Sequence, residues 1–189
     1  MEHIQISVDE RSESNKLSLS KVFSSRVWSA AELNLGSPSN KAEFPPMHTA
    51  EHILNGTMVK MFGCPRSRNA HIERKKSKAD YELAQAPTEE QVREIESRVN
   101  EQIARNLDVT IEFMTREQAA ELVDLSKLPV DASETLRIVR VGDYDNCACI
   151  GAHVKNTSEI GTFRILTHDF ADGRWRMRFK LENCPYVEE

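Results

Sequence analysis

Four side chains carry the chemistry that this sequence offers. His48 and His52 stand four apart in "PMHTAEHILNGT", residues 46–57. Four residues is just over one helical turn, so in a helix both imidazoles project from one face. That suits two ligands of one metal ion. It equally suits two surface histidines, and the pair alone does not decide. Further along, "CACIGAHV", residues 147–154, separates Cys149 from His153 by three residues in a glycine-containing turn. A thiolate and an imidazole at this spacing can reach one ion. Two nitrogen and sulfur pairs from distant elements are the usual way to build a tetrahedral zinc site. Soft thiolate with imidazole favours zinc over magnesium or calcium. The expectation is one zinc ion per chain, on His48, His52, Cys149 and His153.

Other residues around these pairs have two readings each. Thr49 follows His48, and its hydroxyl either lines a pocket or bonds back to its own helix. The pocket reading is preferred from its place between the ligands. Glu51 is a candidate general base beside a metal, although ordinary exposure preferences favour a solvated helix position. Two basic stretches are candidate RNA contacts: Lys75, Lys76 and Lys78 in "PRSRNAHIERKKSK", and Arg174, Arg176 and Arg178 in "RWRMRFK". In the second, alternation puts the arginines and Lys180 on one strand face and Trp175, Met177 and Phe179 on the other.

The elements that must hold these residues follow from periodicity and punctuation. Pro45 and Pro46 open a helix from Met47 to Phe62 with an apolar stripe of Ala50, Ile53, Leu54, Met58 and Met61, ended by Gly63. Residues 69–84 fit a hairpin of two short strands turning at Lys76–Lys78. A capping box of Thr88 and Gln91 opens a second helix carrying Val92, Ile95, Val99, Ile103 and Leu107. Strands are expected at 109–114 and 136–141. A short helix with a second capping box, Thr115 and Gln118, lies between them. A closing hairpin turns at "ADG", residues 171–173. Helices mixed with antiparallel hairpins give the α+β class. Residues 1–40 read as an N-terminal extension with a short strand in "HIQISV", and residues 41–189 as the main domain.

Composition bounds the rest. The 189 residues can bury a core without staples. No apolar run approaches the roughly 20 residues of a membrane span, and the polar start lacks a signal peptide's pattern. The expected location is cytoplasmic, where four cysteines are thiols or metal ligands more readily than disulfides. A formal net charge of −5 argues against whole-surface affinity for nucleic acid and leaves only local basic patches.

"HTAEH" followed by "CIGAHVKNTSEIGTFRI" resembles the editing domain of alanyl-tRNA synthetases and AlaX-type editing proteins, a domain shared with threonyl-tRNA synthetases. The resemblance spans residues 44–182 and includes Thr157, Glu159, Ile160 and Gly161 in its third motif. It implies an antiparallel sheet packed with helices. It also implies zinc on His48, His52, Cys149 and His153, and a free-standing aminoacyl-tRNA deacylase, a carboxylic ester hydrolase. The implied substrate is mischarged tRNA: Ser-tRNA(Ala), or Gly-tRNA(Ala). No membrane or DNA partner is expected. Ile150 and Ala152 depart from the family's CGGTH pattern, where glycine and threonine stand. Two alternatives therefore remain: a zinc-stabilised RNA-binding module without catalysis, and a metal-dependent hydrolase of a small aminoacyl ester.

Overall fold

A computed structural model describes residues 44–125 and 134–187. The expected extension and its strand at 3–8 lie outside them. Helix α1 (Pro45–Phe62) starts with proline in its first turn, where the missing N–H costs nothing. It stops at Gly63, whose φ of 63° lets its N–H reach the Val59 carbonyl. Strand β1 (Ser77–Glu82) follows, then α2 (Glu89–Ala104) behind its complete Thr88/Gln91 capping box. Next come β2 (Val109–Thr115), the one-turn α3 (Arg116–Ala120) with its Thr115/Gln118 box, β3 (Thr135–Val141) and β4 (Asp145–Ala148). A 3-10 turn at Thr157–Glu159 leads into β5 (Thr162–Ala171) and β6 (Arg174–Glu182).

Among the described residues the strands form two antiparallel sheets, ordered β1-β6-β5 and β2-β3-β4. The α+β class expected from the sequence is what the chain adopts. The main core lies between the first sheet and the two long helices. Trp175, Met177 and Phe179 of β6 point inward with Ala79 and Tyr81 of β1. They meet Ile53, Leu54 and Met58 of α1 and Ile95 and Val99 of α2. Each large apolar side chain so buried contributes about 1.5–3 kcal/mol.

Residues 69–84 differ from the expected hairpin. The first arm contributes a single bridge, His71 to Lys78, and β1 pairs along its whole length with β6 instead. The reason lies in the side chains. The first arm is largely exposed and has no apolar alternation to bury, whereas β1 offers Ala79 and Tyr81 to the core. A bidentate ion pair, Arg176 Nε and Nη2 to the two Asp80 oxygens at 2.7 Å each, ties β1 to β6. The Ser77 hydroxyl closes the turn through Glu73.

The third motif is a connector. Thr157 is fully buried. Its hydroxyl donates to Ile103 O and accepts from Leu107 N–H, which pins the turn to the end of α2. Gly161, at φ 86°, passes so close to β6 that a Cβ there would sit 2.5 Å from the Glu182 carbonyl oxygen. Both features fix where the chain returns after His153.

Candidate metal centre

Helix α1 and the loop after β4 bring the four residues together. The ligand atoms of His48, His52, Cys149 and His153 all lie within 4.8 Å of one another. Cys149 Sγ is 3.5 Å from His48 Nε2 and 3.5 Å from His153 Nε2. The edges of a tetrahedron with zinc-like bond lengths are roughly 3.5 Å, so these separations suit one ion at the centre. The cluster can hold a metal.

The protonation state suits it too. Burial, with His153 and Arg66 adding to it, holds the His52 imidazole well below its ordinary value. Burial and the neighbouring His48 and Arg137 lower His153 to about 3. Both rings are neutral and able to offer a lone pair. Burial pushes the Cys149 thiol up to about 12. A cation at the centre reverses that cost, since a coordinating thiol is deprotonated by the ion's charge.

Thr49 decides which His153 nitrogen faces inward. Its hydroxyl donates to Pro45 O at 3.0 Å and accepts from Val154 N–H at 3.2 Å. Its one proton is thus used, and His153 Nδ1 at 3.1 Å must be the donor. Nε2 is left as the unprotonated atom facing Cys149. Thr49 is fully buried and does not border the cleft. The expected pocket hydroxyl is therefore a support for His153, and the back-bond to its own helix is made as well.

Glu51 is also placed differently from the solvated position favoured above. It is only 7% exposed and lines the same cleft as His48 and His52. Asn55 Nδ2 donates to Glu51 Oε1 at 2.5 Å. Asn55 Oδ1 in turn accepts from the Tyr81 hydroxyl and the Ser67 N–H. The buried carboxylate is thus held by an amide that is itself fixed by two further hydrogen bonds, which keeps its charge in one position.

Three supporting residues had no signal in the sequence. Asp145, at the start of β4, sits with its Oδ2 3.7 Å from His52 Nδ1 and holds Arg66 through both oxygens. Burial raises its carboxyl above the usual range while Arg66 pulls it back. Arg137, on β3, donates to the carbonyls of Cys149 and Gly151 and so fixes the loop that presents Cys149. The cleft that His48, His52 and Cys149 line has a volume of about 600 Å³ and is also bordered by Val59, Lys60, Leu122 and Tyr144. Cys147 borders it as well, but its thiol donates to Ala148 O and stands outside the four-atom cluster.

The basic groups divide. Lys75 and Lys76 are exposed and Lys78 half-buried. On β6, Arg176 is committed to Asp80, and Arg178 stands 3.4 Å from Asp169. Arg174 is exposed. No described helix is long and apolar enough to cross a membrane.

Comparison with known proteins adds the following. Residues 136–178 match the family model described as the threonyl and alanyl tRNA synthetase second additional domain. An alanine–tRNA ligase of Thermoanaerobacter sp. (strain X514) is 32% identical over 147 residues, 75% of this chain and 17% of that protein. The alanine–tRNA ligase of Petrotoga mobilis is 32% identical over 120 residues, 63% of this chain and 14% of the ligase. That of Blochmanniella floridana is 33% identical over 127 residues, 67% of this chain and 14% of the ligase. The chain thus spans less than a fifth of the length of these relatives.

Proposed function

We propose a function from one premise: this chain carries an editing domain of the AlaX and alanyl-tRNA synthetase kind, built on the second additional domain of threonyl and alanyl tRNA synthetases. It is a zinc-dependent hydrolase that removes the wrong amino acid from tRNA in trans, with Ser-tRNA(Ala) the preferred substrate and Gly-tRNA(Ala) the second. The observation that carries this reading is the four-donor cluster opening onto a cleft.

His48, His52, Cys149 and His153 would hold the zinc, which when bound polarises a carbonyl and lowers the pKa of a bound water toward ~7. The chain's own groups do the rest. Thr49 holds His153 in the tautomer with Nε2 inward. Arg137 keeps the Cys149 loop in place. Glu51, which lines the cleft and accepts a hydrogen bond from Asn55, would accept the proton of an attacking water. The cleft, at about 600 Å³, has room for a terminal nucleoside beside the aminoacyl group.

The test is ester loss from serine-charged tRNA(Ala), with correctly charged alanine tRNA as the control. Rapid loss of serine and slow loss of alanine is the expected result. A zinc-replete protein that leaves both esters at the uncatalysed rate sinks the hydrolase reading. That outcome would leave the zinc-stabilised RNA-binding module, in which four protein ligands close the shell of an organising metal. Hydrolysis would need a fifth coordination position, or one loosened ligand, for water or carbonyl to reach the ion.

The lysines of the 75–78 turn are proposed to add long-range attraction for RNA. Replacing Lys75, Lys76 and Lys78 together by Ala should weaken tRNA binding and make its salt dependence shallower by about 2–3 in log–log slope. Zinc content should not move and the unfolding midpoint should shift little, because Lys75 and Lys76 are exposed and Lys78 half-buried with no ion pair among the described residues. An unchanged salt slope removes these residues from the footprint.

A further inference from the structure

A second cavity, of about 250 Å³, adjoins the cleft and shares Pro65 and Arg66 with it. Its other lining residues are Arg68, Asn69, Asp80, Tyr81, Glu82 and Arg174. Most of its charges are already matched. Asp80 is held by Arg176 and by Asn69, and Arg66 by Asp145. Two exposed cations remain, Arg68 and Arg174, against one carboxylate, Glu82. Among the described residues neither arginine lies within ion-pair distance of a carboxylate, including Glu82, which stands opposite Arg174 in the strand register. Two arginines from different elements, a loop and a strand, thus line a small cavity that shares the wall of Pro65 and Arg66 with the cleft of the metal centre.

We infer that this cavity is the seat of the phosphate on the 5′ side of the terminal nucleoside of the substrate's RNA 3′ end, held by Arg68 and Arg174. The inference rests on the deacylase reading and deepens it. A guanidinium fork matches phosphate oxygens in geometry and charge. A phosphate gripped there continues past Pro65 and Arg66 into a terminal nucleoside in the cleft, with its aminoacyl ester at the four-donor cluster. The single-stranded end would then be located by one phosphate contact beside the chemistry. The more distant lysines would supply attraction without register.

The experiment compares two minimal esters, 3′-O-seryl adenosine with a 5′-hydroxyl and the same compound with a 5′-phosphate. It uses the intact zinc-loaded chain and the Arg68→Ala/Arg174→Ala double variant. The wild type is expected to prefer the phosphorylated ester by about tenfold in kcat/KM, through KM, as fits charged hydrogen bonds to one phosphate. The double variant is expected to lose that preference. A wild type without preference, or a variant that keeps it, overturns the inference while leaving the hydrolase reading standing. Binding of uncharged tRNA supplies a readout that does not depend on hydrolysis. The double variant should lose about 0.7 from the log–log salt slope, one single-strand phosphate's worth. If the wild type cleaves neither minimal ester, the hydrolase reading still rests on the charged-tRNA assay and this slope alone decides the seat: an unchanged slope overturns it. Binding of inorganic phosphate as tight as that of the phosphorylated nucleoside also overturns the assignment to RNA.

Discussion

Cys149→Ala should lose the metal and the deacylation together, whereas Cys147→Ala should keep both. The two cysteines lie two apart, Cys147 in β4 and Cys149 in the loop just after it, and both border the cleft. Distance separates them. Cys149 Sγ is 3.5 Å from two imidazole nitrogens, while the Cys147 thiol is turned to the neighbouring Ala148 carbonyl. Removing Cys149 takes the one ligand able to carry a negative charge from a centre whose other three donors are imidazoles. Zinc affinity should fall by more than about 100-fold, beyond what loss of an outer-sphere partner costs. Elemental analysis of protein prepared without added metal should give near one zinc per chain for wild type and Cys147→Ala, and almost none for Cys149→Ala. Zinc lost only in the Cys147 variant would show that the thiolate had been assigned to the wrong cysteine. Full activity in metal-free wild type would remove the metal from the mechanism.

The parts of this site that the sequence revealed are those with a period. The four-residue spacing of His48 and His52 is a helix-face statement, and α1 delivers it. Cys149 and His153 were visible as a second pair of the same chemistry. Capping boxes at Thr88 and Thr115 mark helix starts because they are local hydrogen-bond arrangements, and both are formed. What stayed hidden depends on partners distant in the chain. Asp145 looks like any loop acid until Arg66, 79 residues earlier, is folded against it. Arg137 reads as one polar residue of an alternating strand, yet it holds the Cys149 loop. Glu51 looks exposed by type, and its hydrogen bond from Asn55, itself held by Tyr81, is visible only in the fold. The partner of β1 was misread because local spacing suggested a hairpin. The true partner, β6, lies almost a hundred residues away and wins by burying Trp175, Met177 and Phe179.

Arg66→Met is expected to be the most destabilising single change near the site. Its guanidinium meets both Asp145 oxygens, at 2.5 and 3.0 Å, and the Asp145 side chain is 5% exposed. Removing it strands a buried carboxylate, which costs about 3–5 kcal/mol. That is a large share of the roughly 5–15 kcal/mol of a typical domain. Helix α1 leaves little room for the carboxylate to escape, since a Cβ on Gly56 would already be 3.0 Å from Asp145 Oδ1. Urea unfolding of chelator-treated protein reads this cost without contribution from zinc. Arg66→Met/Asp145→Leu separates the two roles of the pair. An apolar replacement of a buried ion pair is often neutral or better, so the double variant should regain most of the stability. It should not regain the metal site. His52 Nδ1 is buried with no hydrogen-bond partner, and Asp145 is the acceptor standing 3.7 Å away. A ligand histidine whose outer nitrogen loses its carboxylate typically binds metal about 10–100-fold more weakly. A double variant that is stable and holds zinc as tightly as wild type would reduce Asp145 to a counter-ion for Arg66. One that stays as unstable as Arg66→Met would show that shape, not charge, is what the pair supplies. The expected result lies between them: a restored fold with weakened metal binding, because Asp145 neutralises Arg66 on one side and faces His52 Nδ1 on the other.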